Sequence, residues 1–449
     1  MVPNISDYMY NPFASHVLRD LFKILSGITY LSVDSRKRKY QQKKQQKINY
    51  DINTFTHEKT WKSFRHLLRD ITTQLINLLS EEKETQYKKE IVYDETMSLC
   101  LQVLITSLAQ HDKTHENLLK PLIQHILCLF NNDDKVNKSD YIHIQRMMKH
   151  SSASRLIENI LPYLTEEQLY MINETIMLNN YKDLAQHNIG NFTLQSYMIQ
   201  IADLKNSKKI EKLIKKYIKF TLKHCKQFLY GNRGGMITQL IQLSAQSQIK
   251  QDKIYKKLNE ILIKENEKNM VSILLSLPNK SIKEQYAKYS MLGSQIILHL
   301  CNFQQDHISH DFLALDDDKL LDIALDFAGS RAIDGYYDSK TISDIKKQNM
   351  SYKLEKYCIK LAQNGTGSYI LEKIFNCGNI NTKFYIAQQF IDNMSKLLGS
   401  FTGKILLRKF EIDEFKRNRV QWQRKIEKQL NYEHNTDNND RKTKKRKKN

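Results

Sequence analysis

A six-residue motif recurs along this chain at nearly constant spacing. Each copy has a small residue, two variable positions, two mainly apolar positions and a last variable position. Successive copies at Gly293, Gly329, Gly367 and Gly403 lie 36, 38 and 36 residues apart, and the step from Ala153 to Gly190 is 37 residues. A further copy, GGMITQ at Gly234, has longer spacers of 44 and 59 residues on its two sides. A period of this size is typical of stacked helical repeats.

The first position of the motif, which we call the register position, selects small residues. Six of the thirteen glycines occupy it, and alanine fills it at Ala14 and Ala153. A residue without a large side chain lets neighbouring helices approach closely at that point. The apolar pairs that follow, such as Ile296 and Ile297 or Ile370 and Leu371, are predicted to form the core of each repeat.

Length and composition favour an all-α fold. The chain has 449 residues, which is too long for a single ordinary hydrophobic core. Only five prolines interrupt its apolar periodicity. We predict an α-solenoid, a curved superhelix of roughly ten helical repeats. The segment MSLCLQ, with Ser98, Leu99 and Gln102, is a weaker copy because Met97 holds its register position. The apolar run from Trp61 to Leu79 is predicted to belong to a further repeat that the basic insertion interrupts.

The variable positions are the candidates for function. Two of them are four residues apart, so they point to one side of a helix, and a third lies between them. They read Asn191, Phe192 and Gln195 in one copy, Ser154, Arg155 and Glu158 in a second, and Ser368, Tyr369 and Glu372 in a third.

Polar pairs with an aromatic residue or arginine between them resemble the RNA-reading positions of Pumilio-type (PUF) repeats. In that family two side chains meet a base edge and the one between them stacks on the base. The resemblance implies a uracil-type reader at Asn191/Gln195 and guanine-type readers at Ser154/Glu158 and Ser368/Glu372. It also implies that Phe192, Arg155 and Tyr369 are stacking residues.

Both ends of the array narrow this resemblance to the nucleolar Pumilio-like group, the nucleolar protein nine type. The segments that carry it are NPFASHVLRDLFKILSG at 11–27, NRGGMITQLI at 232–241 and FTGKILLRKFEIDEFKRNRVQWQRK at 401–425, which contains Trp422. The resemblance implies a repeat array over 11–425 that binds small-subunit pre-rRNA, single-stranded and partly structured, together with proteins of the pre-ribosomal particle. It implies a nucleolar, non-catalytic factor that assists or times processing, and we expect a monomer.

Other copies depart from a reading pattern. They are Gly235/Met236/Gln239, Ser294/Gln295/Leu298, Ser330/Arg331/Asp334 and Lys404/Ile405/Arg408. We therefore expect base reading to be partial, with Met236, Gln239, Ser294, Gln295, Ser330 and Arg331 as weaker RNA contacts. Four basic residues near the two ends are expected to contact RNA phosphates and to recognise the shape of the RNA: His16, Arg19, Lys404 and Arg408.

The charge of the chain suits a polyanionic partner. Lysine and arginine total 70 against 49 acidic residues, a formal charge of +21, although a lysine-rich composition alone can produce such an excess. Two strongly basic segments stand out, an insertion at 34–50 and a tail at 431–449. Seven of the eight residues from Arg441 to Lys448 are lysine or arginine, which favours nuclear import.

Enzymatic motifs are weak. HDKTHE at 111–116 and DHISHD at 306–311 lack the H-E-x-x-H spacing of a metal site, and neither NGTGSY nor GNRGG completes a nucleotide fingerprint. The six cysteines form no C-x-x-C pair, and no apolar stretch approaches the length of a membrane span. We expect no enzyme activity, no cofactor, no metal and no membrane contact. The alternative hypothesis is a protein-binding scaffold or transport adaptor of the HEAT or armadillo type.

Overall fold

The computed structural model describes residues 5–30, 55–57, 62–80, 90–110, 116–127, 138–204, 208–263, 268–278 and 287–428. They fall into two compact units, Met1–Leu204 and Lys205–Asn449. The described part is almost entirely helical, which agrees with the predicted all-α class. The basic insertion and the basic tail lie outside the described residues.

The first unit is built on a row of four helices that carry the register position. Its helices are α1 (Ile5–Tyr10), α2 (Pro12–Ser26), α3 (Lys62–Ser80), α4 (Glu95–Gln110), α5 (Glu116–Leu127), α6 (Lys138–Lys149), α7 (Ala153–Ile160), α8 (Glu166–Ile172), α9 (Tyr181–Gln186) and α10 (Gly190–Asp203). A 3-10 turn, Leu161–Tyr163, and a π-helical turn, Asn173–Met177, flank α8. Helix α2 packs on α4, α4 on α7 and α7 on α10. We call helices of this kind motif helices.

The second unit repeats the plan with five motif helices. Its helices are α11 (Lys208–Lys223), α12 (Cys225–Tyr230), α13 (Gly234–Ser247), α14 (Gln251–Leu262), α15 (Met270–Leu275), α16 (Met291–Leu300), α17 (Ser309–Leu313), α18 (Asp317–Leu325), α19 (Gly329–Asp338), α20 (Asp344–Glu355), α21 (Cys358–Gln363), α22 (Gly367–Cys377), α23 (Ile380–Asp392), α24 (Met394–Leu398), α25 (Phe401–Lys409), α26 (Ile412–Arg417) and α27 (residues 419–428). The motif helices α13, α16, α19, α22 and α25 pack in that order.

A cap three residues before the register position starts most motif helices. The Asn364 side chain accepts from the Gly367 N–H at 2.8 Å, and Asp326 accepts from Gly329 at 2.8 Å. The same contact is made by Asn11, Asp94, His150, His187, Ser290 and Ser400. Each such cap satisfies a backbone donor that the helix leaves unpaired, which stabilises it by about 1 kcal/mol.

Asp94 settles the register of the weaker copy. Its carboxylate accepts from the Met97 N–H at 2.8 Å, as in the glycine copies, so α4 is a motif helix although Met97 is not small. Gly231 stands at the equivalent place before Gly234, where no side chain exists to form the cap. The copy at Gly234 is thus the exception among the nine motif helices of the described residues.

Close packing of neighbouring helices explains the glycines at the register position. A β-carbon on Gly293 would lie 1.8 Å from the Leu274 carbonyl oxygen, and one on Gly234 would lie 2.3 Å from a methyl group of Leu292. The contact at Gly293 is with backbone, so a β-carbon there would require the neighbouring helix to move, whereas at Gly234 the Leu292 side chain would have to shift. The apolar residues that follow are core, as predicted: Ile296, Ile297, Ile370 and Leu371 are fully buried.

The interrupted repeat differs from its prediction. Helix α3 (Lys62–Ser80) packs on α2 and α5, so it supports the first motif helix and is not the motif helix of another repeat. Two short antiparallel strands, β1 (Ile28–Tyr30) and β2 (Phe55–His57), stand between α2 and α3 and flank the basic insertion. The insertion therefore interrupts a repeat, as predicted, but this repeat is the opening one that contains α2 and not a further one.

The aromatic C-terminal segment closes the second unit. Trp422, on α27, is fully buried, donates from Nε1 to the Phe410 carbonyl at 3.1 Å and meets the Phe415 ring edge to face at 4.9 Å. No helix among the described residues is long and apolar enough to cross a membrane.

Candidate nucleic-acid interface

The three variable positions of a motif helix differ in exposure. The first is buried in most copies, since its side chain folds back on the start of its own helix: Ser368 Oγ donates to the Gly365 carbonyl at 3.0 Å, and Ser294 Oγ donates to the Ser290 carbonyl at 2.9 Å. Lys404, which holds this position in the copy at Gly403, is exposed. The donor of each serine is used within the helix, which leaves oxygen lone pairs for a ligand only where the side chain is not fully covered.

The copy at Gly190 holds an aromatic side chain above a polar pair. Gln195 Nε2 donates to Asn191 Oδ1 at 2.8 Å, and Phe192 between them is 55% exposed. Asn191 in turn donates to the His187 carbonyl at 2.8 Å, which fixes its amide orientation. An exposed ring beside oriented amides can stack on a base while the amides meet its edge. The α4 copy has the same polar pair, since Gln102 donates to Ser98 Oγ at 3.3 Å.

The copy at Ala153 places a carboxyl in a low-polarity setting. Glu158 accepts a long hydrogen bond, 3.5 Å, from Thr193 Oγ1 of the next motif helix. Burial raises the pKa of Glu158 to about 7, against the smaller opposing effects of the Arg155 charge and the Thr193 hydrogen bond. Arg155 is exposed, and its guanidinium is free of any hydrogen bond or ion pair recorded in the described part. The pair Ser154/Glu158 therefore changes charge near neutral pH.

The copy at Gly367 has the same serine and glutamate at the first and last variable positions, but their surroundings differ. Tyr369 is 66% exposed, and Glu372 forms an ion pair with Lys409 of the next motif helix. Sequence reasoning missed both Thr193 and Lys409, because each lies on a neighbouring helix and no spacing within one motif reveals it.

The copy at Gly329 resembles a reader more closely than expected. Arg331 is exposed and lies over the Phe327 ring, 5.1 Å from its centroid, while Phe327 is itself 54% exposed. Asp334 is half-buried, and its Oδ1 atom is covered from solvent and has no hydrogen-bond partner among the described residues. Burial raises the pKa of Asp334.

Three of the expected RNA contacts in the second unit are buried. Met236 is fully buried, so it stacks on nothing outside the core, and Gln239 is 8% exposed and donates to Gln242. Ser294 is likewise fully buried, although Gln295 beside it is exposed. The α13 helix lacks the cap at Gly231, and it is the copy whose middle position faces the core.

The basic residues at the ends stay accessible. His16 is exposed and its Nδ1 lies 2.8 Å from an Arg19 guanidinium nitrogen, while Lys404, Ile405 and Arg408 are exposed on α25.

The second metal-like motif is structural. Asp306 accepts from the Ser309 N–H at 3.0 Å and pairs with Lys346 at 2.6 Å. His307 stacks on Tyr255 with ring centroids 4.3 Å apart, and Asp311 accepts from the Met270 N–H at 3.0 Å. These residues join α15, α17 and α20. His111 and His115 of the first motif lie outside the described residues.

Stacked motif helices with an exposed ring or guanidinium between two polar residues define a helical repeat protein of the Pumilio class. Residues 1–405 match the NOP9-like PUF repeat domain, and the chain belongs to that family. This confirms the α-solenoid class and the predicted resemblance.

Individual relatives and a solved structure are consistent with this family. The chain is 25% identical to Pumilio homolog 23 of Arabidopsis thaliana, over 95% of this chain and 57% of that protein. It is 22% identical to Nucleolar protein 9 of Candida glabrata, over 94% and 65% of the two chains, and 20% identical to that of Mus musculus, over 91% and 65%. The chain thus spans well under the full length of these relatives. The fold matches APUM23 solved with the RNA GGAAUUGACGG, with a TM-score of 0.70 and 24% identity over 95% of this chain and 76% of that one.

Proposed function

We propose that this chain binds RNA through its motif helices and serves as a non-catalytic factor in ribosome biogenesis in the nucleolus. The observation that carries the proposal is the set of exposed side chains, Phe192, Arg155, Arg331 and Tyr369, each held between two polar residues on a motif helix. Relatives named Nucleolar protein 9 and a fold neighbour solved with RNA support it. A protein-binding scaffold does not need this arrangement.

The finer form of the proposal concerns the ligand and the residues. Ser154/Glu158 and Ser368/Glu372 accept guanine, and Asn191/Gln195 accepts uracil. The RNA is small-subunit pre-rRNA. The protein binds it as a monomer, among proteins of the pre-ribosomal particle. The repeats within 11–425 carry the RNA, and the tail at 431–449 directs the protein to the nucleus.

The test is crosslinking of the tagged protein to cellular RNA, followed by filter binding of GGAAUUGACGG and of the recovered fragment. Phe192→Ala with Tyr369→Ala is expected to weaken binding by roughly fivefold or more per base, since stacking contributes about 1 to 3 kcal/mol. Tyr8→Ala with Tyr385→Ala is the matched control, because both rings are exposed on helices outside the motif rows. Equal loss in both variants, or no enrichment of RNA, would overturn the proposal in favour of a protein scaffold.

A further inference from the structure

An exposed phenylalanine stands two residues before the register position of the copy at Gly329. Phe327 is 54% exposed, although burial of such a ring is favourable. The loop around it is firmly held, because one oxygen of the Asp326 carboxylate accepts from the Ala328 and Gly329 N–H groups at 2.9 and 2.8 Å. The other oxygen accepts from the Lys288 N–H at 2.9 Å. The backbone of the helix start therefore fixes the ring at the surface.

The Phe327 ring supports the middle variable residue of the same copy. The guanidinium carbon of Arg331 lies 5.1 Å from the ring centroid, within the roughly 6 Å of a cation–π contact. The Arg331 side chain is exposed and makes no hydrogen bond or ion pair within the described part of the chain, so the ring is the contact that orients its guanidinium. A guanidinium is planar, and it can rest one face on a ring while the other face stacks on a base.

The copy at Ala153 has an arginine in the same place without such support. Arg155 is exposed, Ser151 stands two residues before its register position, and its guanidinium has no cation–π contact within the described residues. A long side chain that is free in solution must be ordered when a ligand binds. That ordering weakens binding by about twofold to tenfold for each side chain.

The pairing of a ring with a cation is specific to the copy at Gly329. Among the other eight copies, only the one at Gly403 has an aromatic residue two positions before its register residue. This residue, Phe401, is 79% exposed, but the middle variable position of its copy holds the uncharged Ile405. An exposed ring at this place is therefore not a requirement of the repeat fold.

We propose that Phe327 is a positioning residue for RNA, which holds the Arg331 guanidinium so that a base stacks on its free face. The copy at Gly329 then binds a base through a stack of ring, guanidinium and base. Ser330 Oγ donates to the Phe327 carbonyl at 3.3 Å, so the first variable residue is tied to the same loop. The inference rests on the proposed function, and it adds a residue that lies outside the three variable positions.

The experiment is a double-mutant cycle on the full-length protein, with filter binding of GGAAUUGACGG and of the fragment recovered by crosslinking. Phe327→Leu is expected to weaken binding about twofold to tenfold, and Arg331→Ala about fivefold or more. In an Arg331→Ala background, Phe327→Leu should cause no further loss, because the ring then has no guanidinium to position. Phe327→Trp should keep wild-type affinity, since an indole also binds a cation on its face.

Phe401→Leu is the matched control for the ring. Phe401 holds the same place in its own copy and has no cation–π contact within the described residues. Its effect on RNA affinity should be the same in wild type and in the Arg331→Ala background. The thermal midpoints of Phe327→Leu and Phe401→Leu should both stay close to wild type, because each ring is more than half exposed.

A transfer of the ring tests the same idea in the first unit. Ser151→Phe places a ring before Arg155 at the spacing found in the copy at Gly329, so RNA binding should tighten about twofold to fivefold. The gain should vanish in the Arg155→Ala background. A gain that persists there would overturn the positioning role, because the ring would then act on RNA by itself.

The outcomes distinguish this inference from the proposed function. If wild type binds RNA and Phe327→Leu loses nothing, the inference is wrong and the proposed function stands. If Phe327→Leu loses as much in the Arg331→Ala background as in wild type, Phe327 does not act through Arg331, and the inference is again wrong. If wild type binds no RNA at all, the proposed function fails as well.

Discussion

Two serine–glutamate pairs with identical spacing occupy different electrostatic settings in the two units. Ser154 and Glu158 lie in the first unit, where burial raises the pKa of the Glu158 carboxyl to about 7 and Thr193 supplies one hydrogen bond. Ser368 and Glu372 lie in the second unit, where Lys409 forms an ion pair with the Glu372 carboxylate. The same serine–glutamate pattern thus gives one carboxyl whose pKa is raised to about 7 by burial and one carboxylate that forms an ion pair with a lysine.

The difference shows that the neighbouring repeat decides what a pair can do. A carboxylate accepts two donors from the edge of guanine, whereas a protonated carboxyl has lost part of that acceptor capacity. Thr193 and Lys409 occupy the helix that follows each pair, and they supply a neutral donor in one case and a cation in the other. We expect Glu158 to bind guanine only once its proton is released.

The largest expected effect is on base selectivity. Glu372→Gln and Glu158→Gln each replace an acceptor by a donor, so at pH 8 each variant should lose guanine preference at its own base by about 1 to 3 kcal/mol. Competition binding with RNAs that carry one guanine-to-adenine change measures this. The comparison of the two serine–glutamate pairs is contradicted if either variant keeps its preference for guanine.

The next effect concerns stability. The pKa of Glu158 is raised above its usual 4.5, so the folded state binds the proton more tightly than the unfolded state between about pH 4.5 and 7. The free energy of unfolding contributed by this group is therefore greatest at low pH and falls as pH rises to 8, by about 3 kcal/mol. Urea titrations should show this fall in wild type and a smaller one in Glu158→Gln. Parallel pH profiles would contradict the raised pKa.

RNA affinity should change in the opposite direction with pH. Binding of guanine selects the ionised Glu158, and with a pKa of about 7 the ionised fraction rises about tenfold from pH 6 to pH 8. Wild-type affinity for an RNA with guanine at this position should rise by up to that factor, and Glu158→Gln should be flat. A Glu372→Gln protein should keep the pH dependence, which makes it the matched control.

The smallest effect is expected at the ion pair of the second unit. Lys409 is about half exposed, so its removal by Lys409→Gln should change guanine selectivity by less than about 1 kcal/mol. Measurement at low and high salt sharpens the result, because wild type and variant should converge as salt screens the pair. A large effect that persists at high salt would mean that Lys409 itself contacts the RNA.

Sequence periodicity predicted the architecture well because it rests on local requirements. The register glycines at 293 and 234 face atoms that leave no room for a β-carbon, and such a constraint is visible in the residue itself. The caps were visible too, since Asp94 three residues before Met97 marks the register that the missing small residue obscures. Helix α3 was misassigned because the insertion separates it from α2, the helix on which it packs.

The candidate site was less predictable. Met236 carries the same position number in its motif as Phe192 and Tyr369, yet it is fully buried while they are exposed. The ionisation of Glu158 depends on residues outside its motif, as does the pairing of Glu372. Spacing within one helix shows which side chains share a face. Only the packing of the next helix shows how exposed those side chains are to solvent.

The central claim is that single-stranded RNA lies along the motif helices. Photocrosslinking of GGAAUUGACGG with thiouridine substitutions, followed by mass spectrometry of the crosslinked peptides, tests it directly. We expect crosslinks in α10 (Gly190–Asp203) and α22 (Gly367–Cys377), with Phe192 and Tyr369 among the modified residues. Crosslinks confined to α11 (Lys208–Lys223) and α14 (Gln251–Leu262) would contradict the account, because the single strand would then follow the lysines of those two helices and not the exposed rings.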